Sequence, residues 1–213
     1  MRGLGLALAL FGPFALAALG ERRGRPALGE AVVAQAALAG IVVAVLWLAL
    51  RHDGLTAAQL GFRPLRWPAL ALGGLLALFF VRGYGPAVYA LLRRLRVTGF
   101  EGGLAKLAGL PFWYLCLAVA IGASAEEILY RGYAIARLES LTGSLWLAAL
   151  VPLVIFGLAH VPMWGWAPAL TTVAAGGIFS AVFLVTRDLA PCIVAHVATD
   201  FVGIVLSRRP RAA

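Results

Sequence analysis

Residues 111–138 read PFWYLCLAVAIGASAEEILYRGYAIARL, and this stretch decides the fold. Its first half is apolar without interruption, as in a helix that spans a bilayer, which needs about 20 predominantly apolar residues. Its second half nevertheless carries Glu126, Glu127 and Arg131. Because an ionisable side chain at the centre of a span costs about 2.5–3.5 kcal/mol on insertion scales, this group indicates a water-filled cavity inside a membrane protein.

The composition of the whole chain agrees with a membrane environment. Of its 213 residues, 62% are hydrophobic and 13% are charged, whereas a soluble domain is about 45–50% apolar and about 25% charged. The sequence therefore predicts an all-α fold, a polytopic membrane helix bundle with about seven transmembrane helices. The expected spans are Gly3–Leu19, Ala31–Leu50, Trp67–Leu92, Pro111–Leu138, Leu141–His160, Ala167–Val185 and Leu189–Leu206.

Two of these segments have a second interpretation. The segment at 67–92 is interrupted by Arg82 and a Gly-Pro stretch, which fits either one kinked helix or a span followed by an interfacial helix. The first segment, with Arg2 before it and the sequence Ala-Leu-Ala-Ala at 15–18, also fits a secretory signal peptide. We expect it to be retained, because a first span serves a polytopic protein equally well.

The net charge of +9 comes mostly from arginines that cluster between the apolar segments. Such clusters meet anionic headgroups and fix topology, so the predicted partner is the lipid bilayer and not a nucleic acid. With seven spans, one set of loops holds more basic residues than the other, and the positive-inside rule then predicts a cytoplasmic C-terminus. The richer set is Arg22, Arg23, Arg25, Arg93, Arg94, Arg96, Lys106, Arg208, Arg209 and Arg211, and the poorer set is Arg2, Arg51, Arg63, Arg66, Arg131, Arg137 and Arg187.

Helical spacing separates the roles of the two adjacent glutamates. Residues four apart share a helix face, whereas adjacent residues diverge by about 100°. Glu127 is therefore expected to pair with Arg131, and Glu126 to point elsewhere and remain free to act on a ligand. The alternative is that both glutamates only neutralise arginines near a helix end.

Two of the three histidines lie in later apolar segments. His160 follows Phe156 by four residues at the end of one segment, where a helix cap is an alternative role. His196 and Asp200 lie four apart inside the last segment, so the carboxylate is expected to orient the imidazole. The third histidine, His52, lies in a loop of polar residues that we expect to be solvated.

The sequence contains neither a standard motif for a catalytic nucleophile nor a standard zinc-binding motif. It has no Gly-x-Ser-x-Gly nucleophile motif and no His-Glu-x-x-His zinc motif. Ser124 and Cys192 lie near the polar motifs but have no dedicated base in the sequence. Cys116 and Cys192 have no spacing typical of a disulfide framework or a metal site and are expected to behave as small apolar residues.

The ordered motifs resemble a known family. Glu-Glu-x-x-x-Arg at 126–131, Phe-x-x-x-His at 156–160 and His-x-x-x-Asn/Asp at 196–200 follow one another on successive apolar segments. This pattern is similar to that of the CAAX-protease and bacteriocin-processing (CPBP, or Abi) intramembrane endopeptidases. The resemblance covers about 111–206, which would be the catalytic core, with N-terminal transmembrane helices at 1–110 and a basic tail at 207–213.

The resemblance implies a role for each motif residue. Glu126 would be the general base that activates water, and His160 and His196 would position that water or stabilise the oxyanion. Glu127 and Arg131 would support the site and help to bind substrate. Asp200 stands where family members often carry Asn, and an ionised acid cannot donate a hydrogen bond, so a role in orienting His196 is favoured for it.

The resemblance also implies an activity, and the composition indicates a location. The resemblance favours an endopeptidase that needs no cofactor and acts on a membrane-associated or secreted precursor protein. The arginine- and alanine-rich composition is typical of a bacterial protein, so the expected location is the cytoplasmic membrane of a bacterium. Since two histidines and one glutamate are also a plausible catalytic zinc set, zinc bound by Glu126, His160 and His196 remains an alternative. The alternative functions are a non-catalytic immunity or scaffold protein of the same fold and a small proton-linked transporter.

Overall fold

The computed structural model describes residues 3–21 and 26–207. Within these ranges every regular element is a helix, which confirms the predicted all-α fold. In chain order the helices are α1 (Leu4–Glu21), α2 (Leu28–Arg51), α3 (Trp67–Arg94), α4 (Glu101–Leu107), α5 (Phe112–Thr142), α6 (Leu145–Trp164), α7 (Trp166–Thr186) and α8 (Ala190–Leu206). The predicted basic tail after Ser207 and the arginine cluster at 22–25 lie outside the described residues.

Five of the helices are long and apolar enough to cross a membrane, namely α2, α3, α5, α6 and α7. Two more are apolar but shorter, Leu4–Leu19 within α1 and Ala190–Leu206, which is α8. The membrane bundle is therefore confirmed, whereas the count of seven spans is reached only if both shorter helices are included.

The segment with two interpretations is one continuous helix, α3. A π-helical turn at Phe80–Tyr84 joins its two α-helical parts. The turn precedes Pro86, which has no backbone N–H and so cannot make the hydrogen bond to the residue four positions earlier. A π turn accommodates this missing bond without ending the helix.

The boundary between α5 and α6 differs from the prediction by a few residues. The expected span began at Leu141, but the break falls at Gly143, whose backbone adopts a left-handed conformation with φ of 65°. Ser144 then begins α6, because its side chain accepts a hydrogen bond from the backbone N–H of Leu147. A left-handed glycine followed by a serine cap is a strong helix stop and restart.

Helix α5 is the centre of the bundle. Its middle part, Glu127–Ile135, is π-helical and almost wholly buried, and α1, α2 and α6 pack against this part. Segments of this kind recur at functional sites in proteins.

The two ends of the bundle differ. At one end, the loop after α2 meets the loop before α8, where the N–H of Leu189 donates to the carbonyl of Gly61. At the other end, Phe100 beside α4 contacts Trp164 at the end of α6, and the cluster Arg93–Arg96 lies across the end of α3. Arg131 belongs to neither end, because it is 1% exposed inside the bundle. Counting Arg131 among the loop residues was therefore wrong.

Candidate active site

Glu127 is the centre of a buried polar group. It is fully buried, and its Oε1 accepts hydrogen bonds from Arg131 at 2.9 Å and from Nδ1 of His196 at 2.8 Å. The predicted pairing of Glu127 with Arg131 is therefore confirmed. The bond to His196 joins α5 to α8 across 69 residues of sequence, so it could not be inferred from helical spacing.

Arg131 is enclosed on every side by groups that suit a guanidinium. Besides Glu127, it donates to the carbonyl oxygen of Gly176 at 3.2 Å. Its guanidinium carbon lies 4.3 Å from the ring centroid of Phe156 and 5.8 Å from that of Phe179, within the range of cation–π attraction. The phenylalanine of the Phe-x-x-x-His motif thus packs on the arginine of the first motif.

Glu126 points away from this buried group, as predicted from its position next to Glu127. Its side chain is 25% exposed and lines a cavity. Its Oε2 lies 4.0 Å from Nε2 of His160 and 3.7 Å from Nε2 of His196. The structure therefore brings together groups from three helices, α5, α6 and α8, around one carboxylate.

Hydrogen bonds fix the orientation of both imidazoles. Nδ1 of His160 donates to the carbonyl of Phe156 at 2.8 Å, which leaves Nε2 directed toward Glu126. Nδ1 of His196 is bonded to Glu127, so its Nε2 also faces Glu126. The carboxylate that orients His196 through Nδ1 is thus Glu127 and not Asp200. Oδ2 of Asp200 lies 3.6 Å from Nε2, too far for a hydrogen bond.

The cavity beside these residues has a volume of about 350 Å³. Its polar wall is formed by Glu126, His160, His196 and Asp200. The other walls come from the second half of α3, from α4, and from the facing parts of α6, α7 and α8, and they are mainly apolar and aromatic. A concave apolar cavity with a few convergent polar groups is the usual form of a ligand or substrate site.

The nucleophile candidates are placed elsewhere. Cys192 is buried, and its thiol donates to the carbonyl oxygen of Phe179. Neither Cys192 nor Ser124 is among the residues that line the cavity. In the part of the chain that the structure describes, no group of three or more His, Cys, Asp or Glu side chains is arranged to hold a metal ion.

A second buried polar cluster lies farther along α5. Asp53 accepts a hydrogen bond from Tyr133 at 2.7 Å and forms an ion pair with Arg137 at 2.9 Å. Only 7% of the Asp53 side chain is exposed. The expectation that the loop around His52 is solvated was therefore wrong for Asp53, because this loop folds back against α5.

Sequence reasoning missed Asp53, Gly176 and Phe179. One signal was available for Asp53. Tyr133 and Arg137 repeat on α5 the four-residue spacing of Glu127 and Arg131, and this repeat indicates a second polar face that needs a partner. Gly176 and Phe179 carry no such signal, because their roles depend on how α7 packs against Arg131.

The structure thus defines a class by its architecture, an all-helical membrane bundle in which carboxylates and imidazoles lie beside an apolar cavity. Residues 108–202 match the model of the family described as type II CAAX prenyl endopeptidase Rce1-like. This match confirms the resemblance to the CPBP endopeptidases and supports protease activity in an integral membrane protein. It spans most of α5 to α8 and includes every predicted site residue. Comparisons with curated proteins and with solved structures found no match.

Proposed function

We propose that this protein is an intramembrane endopeptidase that hydrolyses a peptide bond with a water molecule activated by Glu126. The observation that supports this proposal most strongly is the position of Oε2 of Glu126, within 4.0 Å of Nε2 of both His160 and His196 at the wall of a cavity. A carboxylate and two imidazoles at this spacing can hold one water between them. They also supply the base and the donors that amide hydrolysis requires.

In the proposed reaction, Glu126 takes a proton from water as the water oxygen bonds to the carbonyl carbon of the scissile peptide. The carbonyl oxygen becomes an oxyanion, which accepts a hydrogen bond from Nε2 of the cationic His196, while Nε2 of the neutral His160 accepts a hydrogen bond from the attacking water and so positions it. When the C–N bond breaks, the proton on Glu126 passes to the leaving nitrogen. The products are a carboxylic acid and an amine, and Glu126 returns to its starting state.

The surrounding groups support this chemistry without touching the scissile bond. Glu127 holds His196 through Nδ1, which directs Nε2 toward the cavity and stabilises the imidazole when it becomes cationic. Arg131 neutralises Glu127, so the carboxylate tolerates its burial. Asp200, at 3.6 Å from Nε2 of His196, adds a second acidic neighbour on the cavity side and contributes to substrate binding.

The proposed substrate is a membrane-associated or secreted precursor protein that reaches the cavity from the bilayer. The proposed location is the cytoplasmic membrane of a bacterium. The basic residues at the end of α3, Arg93–Arg96, and Lys106 in the short helix α4 lie at the same end of the bundle as Trp164, which lines the cavity. By the positive-inside rule, this end of the bundle is cytoplasmic.

Cleavage of quenched peptides by detergent-purified protein tests the proposed activity. Wild type should cleave at least one member of a peptide library, and both Glu126→Gln and His196→Ala should reduce the rate by about 10²-fold or more. His52→Ala is the matched control, because His52 packs on Trp47 in an exposed loop, and its rate should stay within about twofold of wild type. Equal rates for all four proteins would contradict the assignment.

The same preparation tests the alternatives. We propose a reaction without a metal, so dialysis against a chelator should leave the cleavage rate unchanged. Loss of cleavage on chelation, restored by zinc alone, would favour the zinc set of Glu126, His160 and His196. Proton flux into liposomes without any cleavage would favour the transporter, and neither flux nor cleavage would favour an immunity or scaffold role.

A further inference from the structure

Phe179 is the aromatic neighbour of His196. The two ring centroids lie 5.3 Å apart and the ring planes differ by 23°, so the rings are stacked. The other imidazole has a neighbour of the same kind, because the ring centroids of Phe156 and His160 lie 4.5 Å apart. Phe156 belongs to one of the three sequence motifs, whereas Phe179 lies on α7, outside all of them. Each imidazole of the site thus contacts one phenylalanine.

The position of Phe179 is fixed by contacts that do not involve His196. Its ring stacks on that of Phe80 in α3, with the centroids 4.8 Å apart and the planes 20° apart. Its carbonyl oxygen accepts a hydrogen bond from the thiol of Cys192, which joins α7 to α8 four residues before His196. The side chain of Phe179 is also buried. Phe179 therefore presents a fixed aromatic surface to the imidazole.

His196 needs such a surface in addition to its hydrogen bond. The bond from Nδ1 to Glu127 fixes one edge of the imidazole. The last torsion of a histidine side chain has broad energy wells, however, so the ring is still able to tilt about that contact. A tilt moves Nε2, which lies 3.7 Å from Oε2 of Glu126. The stacked arrangement with Phe179 opposes the tilt, because a favourable ring geometry is lost when the planes separate.

The stack also suits the charge of His196 in the proposed reaction. In that reaction the cationic imidazole donates a hydrogen bond to the oxyanion. A cation within about 6 Å of the centre of an aromatic face is attracted by the ring quadrupole. The imidazole lies within this distance of Phe179 and nearly parallel to it. Phe179 thus favours the form of His196 that acts as the donor.

From these contacts we propose that Phe179 is a positioning residue for the peptidase reaction. It holds the imidazole plane of His196 so that Nε2 is directed at the reacting atoms, and it acts through His196 although its ring also lines the cavity. The proposal rests on the proposed function and adds to it a residue outside the three motifs. It also gives Cys192 a role, since the buried thiol anchors the backbone of Phe179.

Replacing the ring by an aliphatic side chain tests this role. Phe179→Leu should lower kcat per folded molecule by about tenfold or more, because a misplaced donor stabilises the transition state poorly. KM should stay within about twofold of wild type, since the substrate is bound elsewhere in the cavity. A raised KM at unchanged kcat would make Phe179 a substrate contact and would overturn the proposal.

Phe183→Leu is the matched control. Phe183 is also buried on α7, four residues after Phe179, and lies beside Gly61 and outside the cavity lining. Its kcat per folded molecule should stay within about threefold of wild type. An equal fall of kcat in Phe183→Leu and Phe179→Leu would reduce Phe179 to a packing residue and would overturn the proposal.

A milder variant tests the same stack with less disturbance of the core. Phe80→Leu keeps the ring that contacts His196 and removes only the ring behind it. It should lower kcat by about two- to fivefold at unchanged KM, because Phe179 then holds the imidazole less firmly. Wild-type kcat in both Phe80→Leu and Phe179→Leu would overturn the proposal.

NMR of protein labelled with ¹⁵N-histidine tests the positioning without any need for cleavage. The chain has three histidines, so His196→Ala identifies the signals of His196 by their absence. The Nδ1 proton that bonds to Glu127 should give a sharp signal in wild type and in Phe183→Leu, and a broadened or missing one in Phe179→Leu. This pattern without cleavage by wild type would support the positioning of His196 and contradict the peptidase function. An unchanged signal in Phe179→Leu would overturn the positioning role, whether or not the protein cleaves peptides.

Discussion

Helix α5 carries two buried polar clusters that are built alike and differ in their surroundings. In the first, Glu127 is bonded to Arg131 and His196. In the second, Asp53 is bonded to Arg137 and Tyr133. Each cluster pairs a carboxylate with an arginine on α5 and adds a third polar side chain.

The difference lies in what adjoins each cluster. The first lies beside a cavity and has Glu126 and the Nε2 atoms of two imidazoles next to it. The second is closed by the loop that contains Asp53, and none of its members lines the cavity. A buried carboxylate–arginine pair without a neighbouring cavity, such as Asp53 with Arg137, is therefore assigned a structural role. A functional site requires additional groups that face a cavity and have room for a ligand.

Removing the arginine of each cluster should separate the two roles. Arg131→Met and Arg137→Met each leave a buried carboxylate without its cation, so each should lower the free energy of unfolding in detergent by about 3–5 kcal/mol. Cleavage per folded molecule should be lost in Arg131→Met, because His196 is no longer held correctly. It should stay within about threefold of wild type in Arg137→Met, and an equal loss in both would contradict the distinction.

Crowding at Arg131 should have a smaller effect. A methyl group added at Gly176 would lie 2.9 Å from Nη2 of Arg131 and 3.0 Å from Cδ1 of Phe156. Gly176→Ala should therefore destabilise the protein by about 1–3 kcal/mol and reduce kcat. Gly177→Ala is the matched control, because its added methyl would meet only Leu153 at 3.8 Å. Thermal unfolding and cleavage rates of the pair provide the measurement, and identical behaviour would show that the contact with Arg131 is unimportant.

Removing the hydroxyl of Tyr133 should have the smallest effect on stability. Tyr133→Phe removes the hydrogen bond to Asp53 but keeps the ion pair with Arg137, so the protein should lose about 1 kcal/mol of stability. Cleavage should not change, since the second cluster does not line the cavity. The thermal midpoint and the kcat on one peptide check both statements. A large fall in kcat at unchanged stability would instead give the second cluster a part in the reaction.

Local interactions were predictable from the sequence. The pairing of Glu127 with Arg131 and the divergence of Glu126 follow from helix geometry within a few residues. The all-α membrane fold follows from composition and apolar length. The observed helix ends differ from the predicted ones where the backbone conformation sets the boundary, as at Gly143 and Ser144 between α5 and α6.

Contacts between distant segments were not predictable in this way. The bond from His196 to Glu127 depends on how α8 packs against α5, and the sequence suggested Asp200 because it lies four residues away on the same helix. The burial of Asp53 depends on the path of a loop over α5. Such contacts cannot be predicted from one sequence, because residues far apart in the chain share no periodicity that would place them on facing surfaces.

The central claim is that Glu126, and not a buried acid elsewhere, activates water in the cavity. Its most direct test is the kcat of Glu126→Gln and of Asp53→Asn on the same peptide, normalised to folded protein. The account predicts a fall of about 10²–10⁴-fold for Glu126→Gln and a change of less than about threefold for Asp53→Asn. Wild-type turnover by Glu126→Gln would contradict it.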